Sequence, residues 1–254
     1  MTDTITPPKI EFFRDGFKVG RKTYRYKVND EPTRSVTEIL EYVFGKGKFS
    51  AGANWGQRTA VTALCGLVEQ GIDVPWDDPN AVIGLLKQHR ATVNQVRDDA
   101  GERGSSVHMA AELYAETGQL PNADAYPEEQ RGYVRSLIAF LREYRPEIED
   151  VEIAVASVEH GYAGTYDARA VIDGRTCLLD YKTSSYVYDA YLYQLRAYED
   201  ASIECGYAPT DFRAVVHLTP DGQFTKKQFV ESKVTTDQWL AALHWYKVQT
   251  GGGA

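Results

Sequence analysis

The stretch Ala168-Arg169-Ala170-Val171-Ile172-Asp173-Gly174-Arg175-Thr176-Cys177-Leu178-Leu179-Asp180-Tyr181-Lys182 decides how this chain folds. Two strand-forming runs flank Asp173-Gly174, a dipeptide that readily closes a tight hairpin. Upstream, Val151, Ile153, Val155 and Ser157 alternate with Glu152, Ala154 and Ala156, the period of two expected of another strand. Downstream, Asp189 to Cys205 carries Leu192, Leu195 and Tyr198 at helical spacing. Phe212–Leu218 and Gln223–Val230 then read as paired strands around Pro220-Asp221-Gly222, and a last helix covers 235–248. Hairpin-linked strands followed by a helical crossover to another strand require a mixed sheet with helices on its faces. The expected fold class is therefore α/β (α+β), a central mixed β-sheet flanked by helices.

Toward the N-terminus, Ile10–Phe13, Phe17–Gly20 and Thr23–Val28 read as short strands, with Asp15-Gly16 suited to a hairpin connection. Ser35-Val36-Thr37-Glu38 offers a helix capping box. Helical spacing recurs over 53–70 (Trp55, Ala60, Leu64, Leu67, Val68) and 79–99, with Asp77-Asp78-Pro79 turning between them. Gly101-Glu102-Arg103-Gly104 predicts a break, after which Ser105 caps a helix that Gly118 ends. A further helix fits 127–144 and stops at Pro146. This reading divides the chain into an N-terminal β-hairpin and helical extension over 1–100, a core over 101–250 and a flexible tail over 251–254.

Composition narrows the function. The 254 residues are 43% hydrophobic and 25% charged, an ordinary globular balance. No apolar run approaches the roughly 20 residues of a membrane span. The N-terminus lacks the basic and apolar regions of a signal peptide, so a cytoplasmic protein is expected. Cys65, Cys177 and Cys205 are scattered, against a disulfide framework, a zinc knuckle or a four-cysteine cluster. A net charge of −8 argues against non-specific coating of DNA, yet it permits a small cleft lined by a few Arg and Lys.

The chemistry gathers on the hairpin. Asp167 at the start of one strand and Asp180 near the end of the next face each other across an antiparallel ladder. Two carboxylates so placed repel, and a divalent cation relieves the conflict; hard oxygen ligands favour Mg²⁺ or Mn²⁺. Lys182, two residues beyond Asp180, lies on the same strand face, where an ammonium can orient a water and stabilise charge at phosphorus.

The surroundings add Gly164 three residues before Asp167, Thr183 after Lys182, Gln194 with Tyr198 on the next helix, and His108 on an earlier one. In that order the chain resembles the PD-(D/E)XK nuclease superfamily, within it the RecB-like branch that includes phage exonucleases, over residues 101–230. The resemblance implies a restriction-endonuclease-like core and a metal held by His108, Asp167, Asp180 and the backbone carbonyl of Tyr181. It further implies that Lys182 positions the attacking water, and that Gln194 and Tyr198 line the cleft and hold the lysine, the phosphate or the DNA. The cofactor would be Mg²⁺ or Mn²⁺. The substrate would be DNA, as a double-stranded end or single strand, cut by an exonuclease of phage or bacterial recombination and repair. A recombinase, annealing protein or helicase would be its partner, in the host cytoplasm if phage-encoded. The same catalytic set serves endonucleases, and a non-catalytic DNA-binding module is the alternative outside enzymes. The segment Arg34–Leu40 with Trp55 looks like the leader of phage-encoded members.

Other residues stay open at this stage. Glu112, one turn beyond His108, and Glu152 on the first strand are possible further ligands, or simply solvated carboxylates. Glu159 and His160 sit in a loop. Tyr186, Tyr188, Tyr191 and Tyr193 either stack bases or pack the helix onto the sheet. Arg131, Arg135, Arg142 and Arg196 either meet phosphate or face solvent.

Overall fold

Asp173 and Gly174 take φ of 51° and 72°, the double left-handed geometry of a tight hairpin turn. They join β5 (Tyr162–Ile172) to β6 (Arg175–Lys182) in antiparallel register, with Ala168 opposite Leu179 and Ile172 opposite Arg175. The computed structural model describes residues 6–251 apart from Arg21, Lys46 and Gly47, and without the side chains of 48–58 and Val93. The Trp55 side chain, residues 1–5 and the tail beyond 251 lie outside the described residues.

β4 (Glu147–Ser157) pairs antiparallel along the other edge of β5. α6 (Asp189–Glu204) then crosses to β7 (Phe212–His217), parallel to β6, and β8 (Phe229–Glu231) closes that side antiparallel to β7. The strand expected over 223–230 shrinks to these last three residues. A one-turn 3₁₀ helix at Lys226–Gln228 replaces its first part, started by a Thr225–Gln228 capping box. Gln228 Nε2 there donates to the His217 carbonyl at 3.1 Å, so a side chain serves where a ladder was expected.

At the N-terminus β1 (Ile10–Val19), β2 (Lys22–Val28) and β3 (Glu31–Ser35) form an antiparallel meander. Asp15-Gly16 is not a hairpin connection. The register shifts between Phe12 and Phe17, and Gly16 takes φ 71° within one continuous strand, as in a β-bulge. β3 was not foreseen; it pairs parallel to the start of β5, Arg34 opposite Tyr162 and Ser35 opposite Ala163. The meander thereby extends the central sheet, giving the order β1-β2-β3-β5-β6-β7-β8 with β4 on the other edge of β5. Thus β6 and β3 share one edge of β5 and diverge between Ala163 and Ala168.

Helices cover both faces. α1 (Val36–Gly45) begins where Ser35 Oγ accepts the Glu38 amide at 3.1 Å; Glu38 itself pairs with Arg34, so only half of the capping box forms. With α6 and α7 (Thr236–Thr250), α1 buries Ile39, Leu195, Tyr198 and Trp239 against Tyr162, Leu178 and Val215. On the other face α4 (Val93–Thr117) and α5 (Glu128–Tyr144) pack Val107, Leu137 and Phe140 onto Ala168, Leu179 and Val216. α2 (Lys48–Glu69) and α3 (Pro79–Gln88) complete the chain. No helix is long and apolar enough to cross a membrane among the described residues.

Sequence reading misplaced the break in the α3–α4 region. The chain turns at 89–92, where Thr92 and Gln95 make a reciprocal capping box, and α4 then runs unbroken through Gly101 and Gly104 to the left-handed Gly118. Each internal glycine costs about 1 kcal/mol relative to alanine but removes no backbone donor. Burial of Val107, Ala110 and Ala111 outweighs it.

α5 approaches the Pro220 turn closely at Gly132, where an added Cβ would stand 2.0 Å from the Pro220 carbonyl oxygen. Ser136 fastens the same turn, donating to Gln223 O at 2.6 Å. Gly132→Ala is expected to destabilise the fold by about 1–3 kcal/mol, read as a lower chemical-denaturation midpoint; an unchanged midpoint would refute the close approach.

Candidate active site

The site forms where β5 loses its regular alternation. Tyr162 and Tyr166 pack on the α6 face, whereas Ala168, Ala170 and Ile172 pack against α4 and α5. Residues of equal parity thus serve opposite faces on either side of Asp167. β4 does the same, Ile153 packing with the α6 cluster and Val151 with the α4–α5 cluster. Val151 opposes Ala168 and Ile153 opposes Tyr166, so Glu152 and Asp167 are the pair at the switch. Glu152 takes φ 51° there, a conformation rare for a non-glycine strand residue and a marker of local strain.

This irregularity turns both carboxylates toward α4. His108 Nδ1 lies 2.8 Å from Glu152 Oε1, and its Nε2 lies 3.5 Å from Asp167 Oδ2. Asp167 Oδ2 also accepts the Tyr181 amide at 2.7 Å, capping the ladder where β6 leaves β5. His108, Glu152 and Asp167 each present a ligand atom within 4.8 Å of the others. That separation admits a single ion, since ligand atoms on opposite sides of Mg²⁺ or Mn²⁺ stand about 4 Å apart. One imidazole and two carboxylates suit Mn²⁺ as well as Mg²⁺.

Asp180 stands outside this convergent group among the described residues. Its Oδ1 is held by Lys182 Nζ at 2.5 Å, which places the two on one strand face as the spacing implied. Its buried Oδ2 has no hydrogen-bond partner. A cation or water is the natural complement of such an oxygen. Burial drives the Asp180 carboxyl above its usual range, reinforced by Asp167 and opposed by Lys182. For Lys182 burial acts downward, but Asp180 and Asp167 overcome it and hold the ammonium above its ordinary value. Burial likewise works against a charged His108; Asp167 and the bonded Glu152 prevail and raise it to about 9.

Gln194 and Tyr198 do not line the cleft. Both are buried, Gln194 Nε2 donating to the Tyr198 hydroxyl at 2.7 Å. The Tyr198 ring lies flush on Gly164, whose added Cβ would stand 2.2 Å from Cε1. Gly164 therefore admits Tyr198 against β5 three residues from Asp167, and the pair supports the strand from behind. Glu112 is half-buried and outside the convergent group, so Glu152 is the further carboxylate that joins His108. Glu159 and His160 form a separate surface group with Glu204.

A cleft of about 490 Å³ opens beside these residues, lined by His108, Lys182, Tyr181, Arg103, Thr183 and Tyr191 among others. The tyrosine cluster divides: Tyr188 and Tyr191 line the cleft, Tyr193 packs on Phe44 at 5.0 Å, and Tyr186 is 71% exposed. Lys182 Nζ sits 5.0 Å from the centre of the Tyr191 ring, a cation–π contact that steadies the ammonium. Arg131 and Arg135 bind around Asp124, Arg196 pairs with Glu199 and Asp200, and Arg142 is exposed.

No family model matches this chain, and no curated protein sequence does. Among solved structures it is similar to the crystal structure of SSO0001, at 14% identity over 60% of this chain and 71% of that one, with a TM-score of 0.33. A likeness of that size bears on neither fold nor function.

The charged imidazole is bound to two carboxylates in the folded state, and its raised value gives the sign of its effect. Its stabilising contribution is complete below its ordinary value of 6.5 and disappears as pH rises through about 9. Denaturant titrations of the metal-free protein are expected to show stability falling across that window, and His108→Gln to flatten the fall. Equal pH dependence in the two proteins would contradict the assignment.

Proposed function

We propose that this protein is a Mg²⁺- or Mn²⁺-dependent DNA nuclease of PD-(D/E)XK type, hydrolysing phosphodiester bonds, with exonuclease action favoured by the resemblance to the RecB-like branch. The supporting observation is the convergence of His108, Glu152 and Asp167, with His108 also lining the cleft that holds Lys182. Asp180, through its unpartnered Oδ2, and the Tyr181 carbonyl are the further oxygens that would hold the ion. A divalent cation bound there would supply Lewis acidity and an oxygen-coordinating template.

In this reading the chain's own residues divide the work. Lys182 stays protonated near neutrality, so it acts as a charge donor to the phosphate rather than as a base. Asp180 Oδ1 keeps it in place, and Tyr191 backs it. The cleft is open to solvent, so bulk water takes the proton that the attacking water gives up. The water oxygen bonds to phosphorus as the P–O3′ bond breaks, and the departing oxygen is protonated, giving a 5′-phosphate and a 3′-hydroxyl. Gln194 and Tyr198 hold β5 rather than touch substrate.

Lys182→Ala and Asp167→Asn are each expected to lower cleavage by a factor of about 10³ or more while circular dichroism stays unchanged. Linear DNA consumed while covalently closed DNA survives identifies an exonuclease; loss of both identifies an endonuclease. A wild-type protein inert on both with Mg²⁺ and Mn²⁺ would overturn the proposal. Calorimetric Mn²⁺ titrations should show affinity rising with pH as His108 loses its proton at about 9, and pH-independent affinity would remove His108 from the ligand set.

A further inference from the structure

Arg103 is a cation in the cleft wall that pairs with no carboxylate among the described residues. Its guanidinium rests 5.5 Å from the centre of the Tyr133 ring, and both residues line the cleft. Among the described residues it has no ion-pair partner. Arg34, Arg90, Arg135, Arg169, Arg196 and Arg213 all bind carboxylates. Arg142 and Arg175 likewise have no ion pair among the described residues; Arg103 differs from them in lining the cleft. Arg103 Nε is buried without a hydrogen-bond partner, as are those of Arg196 and Arg213, but those two guanidiniums are paired to carboxylates through their other nitrogens.

The surrounding wall leaves room for that ligand. Ala100, Gly101 and Gly104 carry the α4 side of the cleft, and among the described residues a Cβ added at either glycine would meet nothing within 4 Å. Thr183, Ser184 and Ser185, just past the lysine, line the same cleft with hydroxyls. The Ser184 hydroxyl already donates to the Tyr186 carbonyl at 2.7 Å, so a planar guanidinium with the Thr183 and Ser185 hydroxyls is the set that suits a phosphate oxygen pair. Arg103 precedes His108 by five residues of helix, about 7.5 Å along its axis.

We propose that Arg103, with Thr183 and Ser185, binds a backbone phosphate of the DNA strand close to the scissile bond, the strand running along the cleft side of α4. The site rests on the nuclease reading and deepens it. It makes Arg103 a positioning residue that carries no part of the bond cleavage itself.

The test is anisotropy of a fluorescent single-stranded oligonucleotide with the full-length protein in chelator, where binding proceeds without cleavage. Arg103→Gln is expected to weaken binding roughly tenfold and flatten the dependence of log affinity on log salt by about one. Arg103→Lys should keep the salt slope and lose part of the affinity. Gly104→Leu, which adds a side chain into open space, should weaken binding with the melting temperature unchanged or raised, and it decides the matter if Arg103→Gln misfolds. Wild-type affinity and slope in folded Arg103→Gln, or wild-type affinity in Gly104→Leu, would overturn the site while leaving the nuclease reading standing. If the wild-type protein binds no oligonucleotide and cleaves none, the nuclease reading falls and the site with it.

Discussion

The hydrogen bond from the Tyr181 amide to Asp167 Oδ2 is the constraint around which the site is arranged. A hairpin ladder normally continues until its strands run out. Here it stops at Ala168 and Leu179, and a carboxylate takes the amide that the next backbone carbonyl would have taken. β6 can then swing away from β5 without leaving a buried donor unpaired. The edge it vacates is taken up at Tyr162 and Ala163 by β3. Asp167 therefore ends a ladder, opens a fork in the sheet and turns an oxygen toward His108, all through one side chain.

Charge balance in the fork follows from that arrangement. Two buried carboxylates would not both remain ionised without compensation, and the fold supplies two kinds. Lys182 is tied directly to Asp180, while the imidazole of His108 lies between Glu152 and Asp167. Both cations are raised by the anions they neutralise, in spite of burial. The site is thus held together by the same charges that an ion would displace. On the far side of the sheet Glu199 sits buried with Arg196 and Arg213 and accepts from Thr210, so that both of its oxygens are occupied. The two carboxylates differ: both Glu199 oxygens are partnered, whereas Asp180 keeps one oxygen unanswered.

Local patterns carried much of this fold on the page of the sequence. The Asp173-Gly174 turn, the strand through Val151, and the Asp-x-Lys spacing all depend on neighbours along the chain, and each reads directly, although the alternation of that strand breaks at Glu152. What was missed depends on partners far away. Gly101 and Gly104 looked like breakers because glycine usually interrupts helices, yet tertiary burial of Val107 and Ala110 overrides that tendency. β3 gains its identity from β5, more than a hundred residues on. Glu152 read as an ordinary alternating strand residue; its left-handed backbone comes from the switch it shares with Asp167. Arg103 was hidden inside a presumed loop, and its lack of a carboxylate is a fact of three dimensions. Asp180 was read as facing Asp167 across a ladder that in fact ends one pair earlier.

The exchange of faces at Glu152 and Asp167 also bears on how the protein can vary. In a regular strand a slip of one residue moves every side chain to the wrong face, and a slip of two restores the pattern. β4 and β5 lack that second option. A slip of two would shift Ala168 into the α6 layer or Tyr166 into the tight layer under α4, because the faces trade places at a single rung. The rung bearing the carboxylates consequently fixes the alignment of the two longest central strands. Insertions and deletions within them should be tolerated only in compensating pairs on the same side of that rung, so the chemistry of the site and the register of the sheet are inherited together.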